Sequence, residues 1–125
     1  MDIGVDRIDL GTNIVKSPAL VQVMKTRGIG LTCCPVSNSF VTSDMKATEI
    51  VQLLSEGVRV TVNSDDPAYF GGYMTENYAS LASFADLSKQ QVRDLAANAF
   101  TIAWVSPSRR DAFLRELDDY CAPFL

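Results

Sequence analysis

The sequence contains no histidine, and this absence limits the chemistry that its 125 residues can perform by themselves. Imidazole is the most frequent protein ligand of zinc and the most frequent general base near neutral pH. Any metal site or acid–base catalyst in this chain must therefore be built from carboxylates and thiols.

Cysteines and basic residues are also sparse. The three cysteines, Cys33, Cys34 and Cys121, are odd in number and two are adjacent, which is not the pattern of a disulfide-bonded secreted domain. The 11 basic residues are scattered among 15 acidic ones, so no basic stripe exists that could bind the phosphate backbone of a nucleic acid.

No apolar run reaches the length of a membrane span, and residues 1–11 lack a signal-peptide pattern. We expect a cytoplasmic protein that binds neither nucleic acid nor membranes.

The order of apolar and amphipathic segments predicts one α/β domain over residues 1–125. Strands are predicted at residues 5–11, 29–36 and 59–63, the second followed by a polar turn at residues 37–39. Helices are predicted from Ser17-Pro18 to Gly28, from Met45 to Glu56 with Asp44 as the cap, at residues 73–84, after the capping box of residues 88–91, and after Ser106-Pro107, before a short tail at residues 120–125. The predicted order is β-α-β-α-β-α-α-α.

The most informative stretch is the end of the third predicted strand, where Val60, Val62 and their neighbours lead into Asp65-Asp66-Pro67. Carboxylates at the carboxyl end of a parallel strand lie where α/β folds place metal and ligand chemistry. Asp-Asp-Pro is also typical of an ordinary turn, and the residues alone leave both interpretations open. The aromatic and glycine residues that follow, at positions 69–73, could supply a stacking surface for a planar ligand.

Cys33 and Cys34 end the second predicted strand. Neighbouring strand residues point to opposite faces, so the two thiols cannot easily share a small metal site. We interpret them as buried packing residues, since free cysteine is an ordinary small apolar residue.

Three segments together resemble the adenosine/adenine deaminase family. They are Arg7-Ile8-Asp9-Leu10-Gly11, Cys34-Pro35-Val36-Ser37-Asn38 and Asn63-Ser64-Asp65-Asp66-Pro67, in the order and spacing of the last three motif strands of that family. The continuation at residues 68–73 is closer to the adenine deaminase branch, which acts on the free base.

This resemblance implies the carboxyl-terminal part of a (β/α)8 barrel, with about three parallel strands and flanking helices, since a complete barrel takes roughly 250 residues. It implies zinc-dependent hydrolytic deamination of adenine to hypoxanthine and ammonia, the zinc activating the attacking water. Asp65 matches the aspartate that binds zinc and that can accept a hydrogen bond from this water. Asp66 matches the aspartate that hydrogen-bonds the purine ring.

The chain departs from the family pattern at Leu10, which stands where the family has a histidine. The histidine zinc ligands and the catalytic glutamate of the family lie on earlier strands, which these residues do not include. We therefore expect little or no activity from this chain alone, and two unpaired sheet edges that favour self-association or a complementing amino-terminal half. The alternatives are a non-catalytic half-barrel that binds a purine or caps a partner chain, and a truncated remnant.

Overall fold

In the computed structural model, which describes residues 3–125, three short strands alternate with helices. The strands are β1 (Arg7–Asp9), β2 (Gly30–Cys33) and β3 (Arg59–Val62). The helices are α1 (Pro18–Arg27), α2 (Pro35–Thr42), α3 (Ala47–Ser55), α4 (Pro67–Phe70), α5 (Met74–Ala85), α6 (Lys89–Ile102) and α7 (Pro107–Cys121), with 3₁₀ turns at Thr12–Lys16 and Ala122–Phe124. Met1 and Asp2, which the one-domain prediction includes, lie outside the described residues.

The strands form one parallel sheet in the order β1-β2-β3. Ile8 pairs with Leu31, and Leu31 pairs with Val60, so the three strands are aligned side by side. Parallel strands require crossover helices, and α1 and α3 provide them. The predicted arrangement of three parallel strands with flanking helices is therefore confirmed.

The two faces of the sheet have different chemistry because successive strand residues point to opposite sides. One face is the core, in which strand residues pack with helix residues: Leu31, Cys33, Val60 and Val62 with Val21, Met24, Ile50, Leu53, Leu81 and Leu95. The other face carries polar side chains, among them Thr32 and Thr61. The polar face is the one available for binding.

Local sequence signals set most helix starts. The side chains of Ser17, Ser88 and Ser106 each accept a hydrogen bond from a backbone N–H of the following first turn, and Ser88 forms the complete predicted capping box with Gln91. Such caps satisfy N–H groups that have no partner within the helix.

The predicted turn at residues 37–39 is wrong, because these residues belong to α2. Pro35 occupies the first helical position, where its missing N–H costs nothing. The hydroxyls of Ser39 and Thr42 bond carbonyls one turn earlier, those of Val36 and Asn38, so the polar residues are accommodated within a helix.

The other differences concern element ends. Lys46, not Asp44, is the cap residue of α3, and Asp44 instead accepts the Lys46 N–H at 2.9 Å. Helix α4 was not predicted. Helix α7 extends into the predicted tail as far as Cys121, and a 3₁₀ turn follows at Ala122–Phe124. The strands are shorter than predicted by up to four residues.

As predicted, neither outer edge of the sheet pairs with another strand within residues 3–125, but a helix lies against the edge of β3. The Asn63 N–H donates to the Cys33 carbonyl, so odd-numbered residues of β3 face β2 and Val60 faces the outer edge. There the Asn98 side-chain amide of α6 donates to the Val60 carbonyl at 2.9 Å. Helix α6 thus covers the outer edge of β3. No helix within residues 3–125 has the length and apolarity needed to cross a membrane.

Candidate functional site

The polar face of the sheet opens into a depression of about 620 Å³. Residues that follow the strand ends, Leu10, Cys34 and Asn63, line it together with Asp65. On the other side, α6 contributes residues such as Ile102. The depression therefore lies where parallel α/β sheets generally bind ligands, outside the carboxyl ends of the strands.

Asp65 is held in a restrained geometry at this depression. Its backbone has φ of 58°, in the left-handed region that few residues other than glycine, asparagine and aspartate adopt readily. Ser37, a buried residue of α2, donates its hydroxyl to Asp65 Oδ2 at 2.7 Å. An ionised carboxylate accepts hydrogen bonds at both oxygens, so this contact uses one acceptor site of Oδ2 and orients Oδ1 for a ligand.

Asp66 makes its side-chain hydrogen bond to α4 and not at the depression. It is the cap residue of α4, and its Oδ1 accepts the Tyr69 N–H at 3.3 Å. It is exposed and is not among the residues that line the depression. The structure thus brings Asp65 to the depression and places Asp66 on the neighbouring loop, with its second oxygen available.

Leu10 lines the depression with φ of 59°, and its side chain is 51% exposed. The left-handed conformation costs a leucine roughly 1–2 kcal/mol. Histidine, asparagine and aspartate are found in this conformation several times more often than other non-glycine residues. The backbone at position 10 therefore suits a histidine better than the leucine that is present.

The two adjacent cysteines have separate environments, as the strand geometry predicts. Cys33 is completely buried in the core, and burial raises the pKa of its thiol to about 12. Cys34 is the cap residue of α2 and lines the depression. Burial, and then the negative charges of Asp65 and Asp9, raise the pKa of Cys34 to about 11, although a backbone hydrogen bond from Asp65 acts the other way. Burial and, at Cys34, the neighbouring negative charges therefore favour the protonated thiols.

A buried asparagine joins α2 to the loop that precedes α5. Asn77 of α5 is fully buried, and its Oδ1 accepts the Val36 N–H at 3.2 Å. Its Nδ2 donates to the carbonyls of Gly72 and Tyr73 at 3.1 and 2.9 Å. A Cβ on Gly72 would lie 2.9 Å from Cγ1 of Val36, so the close approach of this loop to α2 requires glycine. Asn77 thus ties the loop after the acidic pair to the start of α2, which carries Ser37.

The described residues fit a catalytic zinc ion only in part. Zinc in such sites typically takes three protein ligands and keeps one open position. Within residues 3–125 no group of three or more cysteine, aspartate and glutamate side chains is arranged to hold a metal. Asp65 can supply one ligand, and the rest of a zinc site would have to come from elsewhere.

We expect Ser37→Ala to lower the free energy of unfolding by about 1–2 kcal/mol, because it removes the donor to the Asp65 carboxylate. The cost is moderated because Asp65 is exposed and water can replace the hydroxyl. Urea denaturation measures the effect, with Ser55→Ala as the control at an exposed serine whose hydroxyl also makes one hydrogen bond. In a chain that already carries Asp65→Ala, the Ser37 substitution should cost clearly less. Equal costs in both backgrounds would contradict the proposed coupling.

Sequence reasoning missed Ser37 and Asn77 as site residues. The partner of Ser37 is 28 positions away, and Asn77 contacts residues up to 41 positions away. Ser37 stands in one of the three motif segments, but it was interpreted as a turn residue. Asn77 lies within a predicted helix, where polar side chains usually face solvent. The adjacent acids, by contrast, stood at a strand end and were visible in the sequence.

Comparison with known proteins agrees with these features. The sequence profile of the family described as "Adenosine deaminase" matches residues 1–120. The adenine deaminase of Marinomonas sp. (strain MWYL1) is 44% identical over 117 residues, which is 92% of this chain and 35% of that protein. The adenine deaminase of Chlorobium luteolum is 42% identical over 122 residues, 96% of this chain and 36% of that protein. The chain therefore spans about a third of the length of these curated relatives.

Two solved structures resemble the chain. The crystal structure of adenine deaminase from Arthrobacter aurescens superposes with a TM-score of 0.88 and 33% identity, over 94% of this chain and 37% of that chain. An amidohydrolase from Burkholderia ambifaria, crystallised with bound Zn, superposes with a TM-score of 0.77 and 24% identity, over 95% of this chain and 36% of that chain. The second likeness concerns the fold alone. The three parallel strands and their helices thus correspond to part of a larger barrel, and the chain belongs to the adenosine deaminase family.

Proposed function

We propose that this chain contributes part of the active site of an adenine deaminase, which hydrolyses the free base to hypoxanthine and ammonia in purine salvage. The observation that carries the proposal is Asp65, fixed by Ser37 at the depression beyond the carboxyl ends of the strands. Two relatives of this chain, 44% and 42% identical to it, are adenine deaminases, which supports a purine base as the substrate. Free thiols at all three cysteines suit a reducing, cytoplasmic setting.

In this proposal Asp65 is one of the zinc ligands and Asp66 hydrogen-bonds the purine ring. Zinc supplies a water nucleophile at neutral pH by lowering the pKa of the water it binds. Ser37 holds the Asp65 carboxylate in one orientation, and Asn77 ties the start of α2, which carries Ser37, to the segment before α5. The remaining ligands belong to sequence beyond these 125 residues, so the active unit is an assembly with the amino-terminal part of the barrel.

The test is to reassemble the enzyme by combining the chain with the leading two-thirds of the Marinomonas adenine deaminase. Adenine loss is followed by ultraviolet absorbance and ammonia release, with zinc supplied. Asp65→Ala should abolish turnover, whereas Asp119→Ala, which removes an exposed carboxylate on α7, should leave it unchanged. Retained turnover with Asp65→Ala would refute the assignment.

The same assembly tests position 10. Leu10→His should raise turnover by about tenfold or more, because a positioned imidazole can exchange protons where leucine cannot. A rate that is unchanged or lower would contradict the predicted contribution of an imidazole at position 10.

A second candidate function is purine binding without catalysis. It is favoured by Leu10, because a leucine cannot exchange protons as the histidine of the family can. The exposed Tyr69 stacks edge-on against Phe70 at 5.0 Å beside Asp66, which offers an aromatic surface for a planar base. Adenine binding by the chain without zinc, and without ammonia release in the reassembled protein, would favour this function over the enzyme.

A further inference from the structure

The chain at the end of β1 directs two adjacent side chains to the depression. Along a regular strand, successive side chains point to opposite faces of the sheet. Asp9 is the last residue of β1, and Leu10 follows it with a left-handed backbone, φ of 59°, which interrupts this alternation. As a result, Asp9 and Leu10 both line the depression although they are neighbours in the sequence.

Thr32 holds this geometry in place from the neighbouring strand. It pairs with Asp9 in the sheet. Its carbonyl accepts the Leu10 N–H at 3.0 Å, and its hydroxyl donates to Asp9 Oδ1, also at 3.0 Å. One residue of β2 therefore fixes both the backbone at position 10 and the carboxylate at position 9.

The contacts of the Asp9 carboxylate use one of its two oxygens. Oδ1 accepts the Thr32 hydroxyl and lies 3.4 Å from Nε of Arg7, whose guanidinium is 4.7 Å from the centre of the Trp104 ring. Each carboxylate oxygen can accept hydrogen bonds, so Oδ2 keeps its capacity for a further donor. The Asp9 side chain is 66% exposed and lines the depression. Asp9 thus presents an oriented acceptor to an N–H group beside it.

Position 10 is suited to carry such an N–H group, although leucine does not supply one. Histidine is among the residues that adopt a left-handed backbone more readily than leucine does. A neutral imidazole has one nitrogen that donates and one that accepts a hydrogen bond. If one ring nitrogen donates to a carboxylate, the other is left to exchange a proton, and the tautomer is set.

No other side chain of the depression within residues 3–125 fits this acceptor role as well as Asp9. The other ionisable groups that line it are Arg7, Cys34 and Asp65, whereas α5 and α6 contribute only side chains that do not ionise. Arg7 has no acceptor, and a thiol is a weak one. Asp65 follows β3, two strands away from β1, which corresponds to roughly 10 Å across the sheet. Asp9 is directly adjacent to position 10.

We propose that Asp9 is a positioning residue of this site, which acts by accepting a hydrogen bond from an imidazole at position 10. Thr32 and Arg7 hold Oδ1, and Oδ2 receives the ring N–H. Positions 9 and 10 therefore work as a unit, and Leu10 leaves Asp9 without its donor. The importance of this unit for the reaction rests on the proposed function, but the hydrogen bond itself can be measured without turnover.

The first experiment exploits the absence of histidine from the chain. In the Leu10→His variant the introduced imidazole is the single one, so a chain grown with isotope-labelled histidine gives one NMR signal. This signal is followed in the chain alone and in the assembly with the unlabelled leading two-thirds of the Marinomonas adenine deaminase, without added zinc. Adding Asp9→Asn should lower the pKa of the imidazole by about 1, because the carboxylate favours the protonated ring. The ring nitrogen shifts should show one tautomer with Asp9 and a mixture after Asp9→Asn.

The controls separate this hydrogen bond from a general effect of charge or folding. Asp119→Asn removes the same charge from an exposed position of α7, and it should leave the pKa and the tautomer of the imidazole unchanged. Asparagine at position 9 still offers an oxygen to the Thr32 hydroxyl, so the end of β1 should remain folded. Circular dichroism of each variant establishes that it is folded.

The second experiment measures turnover in the reassembled enzyme with zinc supplied. Leu10→His should raise turnover by about tenfold when Asp9 is present and by less than about threefold when the chain also carries Asp9→Asn. With Asp119→Asn in place of Asp9→Asn, the full gain should be kept. This dependence of one substitution on the other is the signature of two residues that act together.

Two outcomes would overturn the proposal. One is an imidazole whose pKa and tautomer are the same with Asp9 and after Asp9→Asn. The other is an equal gain in turnover from Leu10→His in the two backgrounds. The NMR measurements need neither zinc nor turnover, whereas the proposed function is tested by Asp65→Ala, so failure of one proposal is distinguishable from failure of the other.

Discussion

Replacing Asn77 with aspartate is expected to destabilise the folded chain by about 3 kcal/mol or more at neutral pH. The new carboxylate would be completely buried and would face the carbonyls of Gly72 and Tyr73, which now accept the Asn77 amide. It would keep only the Val36 N–H as a donor. Urea denaturation measures the loss, and Asn13→Asp, at an exposed position, is the matched control.

The loss from Asn77→Asp should depend on pH with a defined sign. Burial and the two carbonyls would raise the pKa of the new carboxyl in the folded chain above its value of about 3.9 in the unfolded chain. The folded state then binds the proton more tightly, so the deficit relative to the unmodified chain is smallest below pH about 4 and grows as the pH rises toward the folded-state pKa. A deficit that does not change with pH would show that the carboxylate escapes to solvent, and that Asn77 is not the rigid tie described above.

Substitution of Gly30 by alanine is expected to lower the free energy of unfolding by about 1–3 kcal/mol, as overpacking of a filled site does. A Cβ at position 30 would lie 2.6–2.8 Å from three atoms of Ile102, including its Cβ, so the side chain cannot simply rotate away. Either α6 or β2 has to shift. Because α6 also binds the edge of β3 through Asn98, its displacement should disturb the sheet as well.

Rescue by a second substitution tests this explanation. Ile102→Ala removes the obstructing atoms, so the double variant should be more stable than the sum of the two single effects, by about 1 kcal/mol. Ile14→Ala, which truncates a partly buried isoleucine elsewhere at the core, should combine additively with Gly30→Ala. If the free-energy changes of Gly30→Ala and Ile102→Ala were also additive, the contact between α6 and β2 would not be the cause of the destabilisation at position 30.

Much of the architecture was predictable because its signals are local. The β-branched run at residues 58–62 indicated a buried parallel strand, and the structure places it in the core. The Ser17-Pro18, Ser88–Gln91 and Ser106-Pro107 signals marked helix starts that the structure confirms. The motif segments around the strands indicated the family, which the match to residues 1–120 confirms.

Element boundaries were less predictable where two local preferences compete. Ser37, Asn38 and Ser39 are typical turn residues, yet Pro35 starts a helix there and the hydroxyls of that helix find carbonyl partners within it. Asp44 has the chemistry of a cap, but the left-handed backbone of Lys46 moves the start of α3 two residues along. In both cases the backbone geometry decided where the helix begins, and no single residue type specifies that geometry.

The sequence by itself determined the three parallel strands, the helices that begin at clear cap signals, and the position of the two adjacent aspartates at a strand end. Only the tertiary structure decided that Ser37 fixes Asp65, that Asn77 joins α2 to the loop before α5, and that α6 covers the edge of β3. The physical reason is distance along the chain. Caps and strand periodicity act over a few residues, whereas these contacts join groups 28 to 41 positions apart and exist only after the core has brought them together.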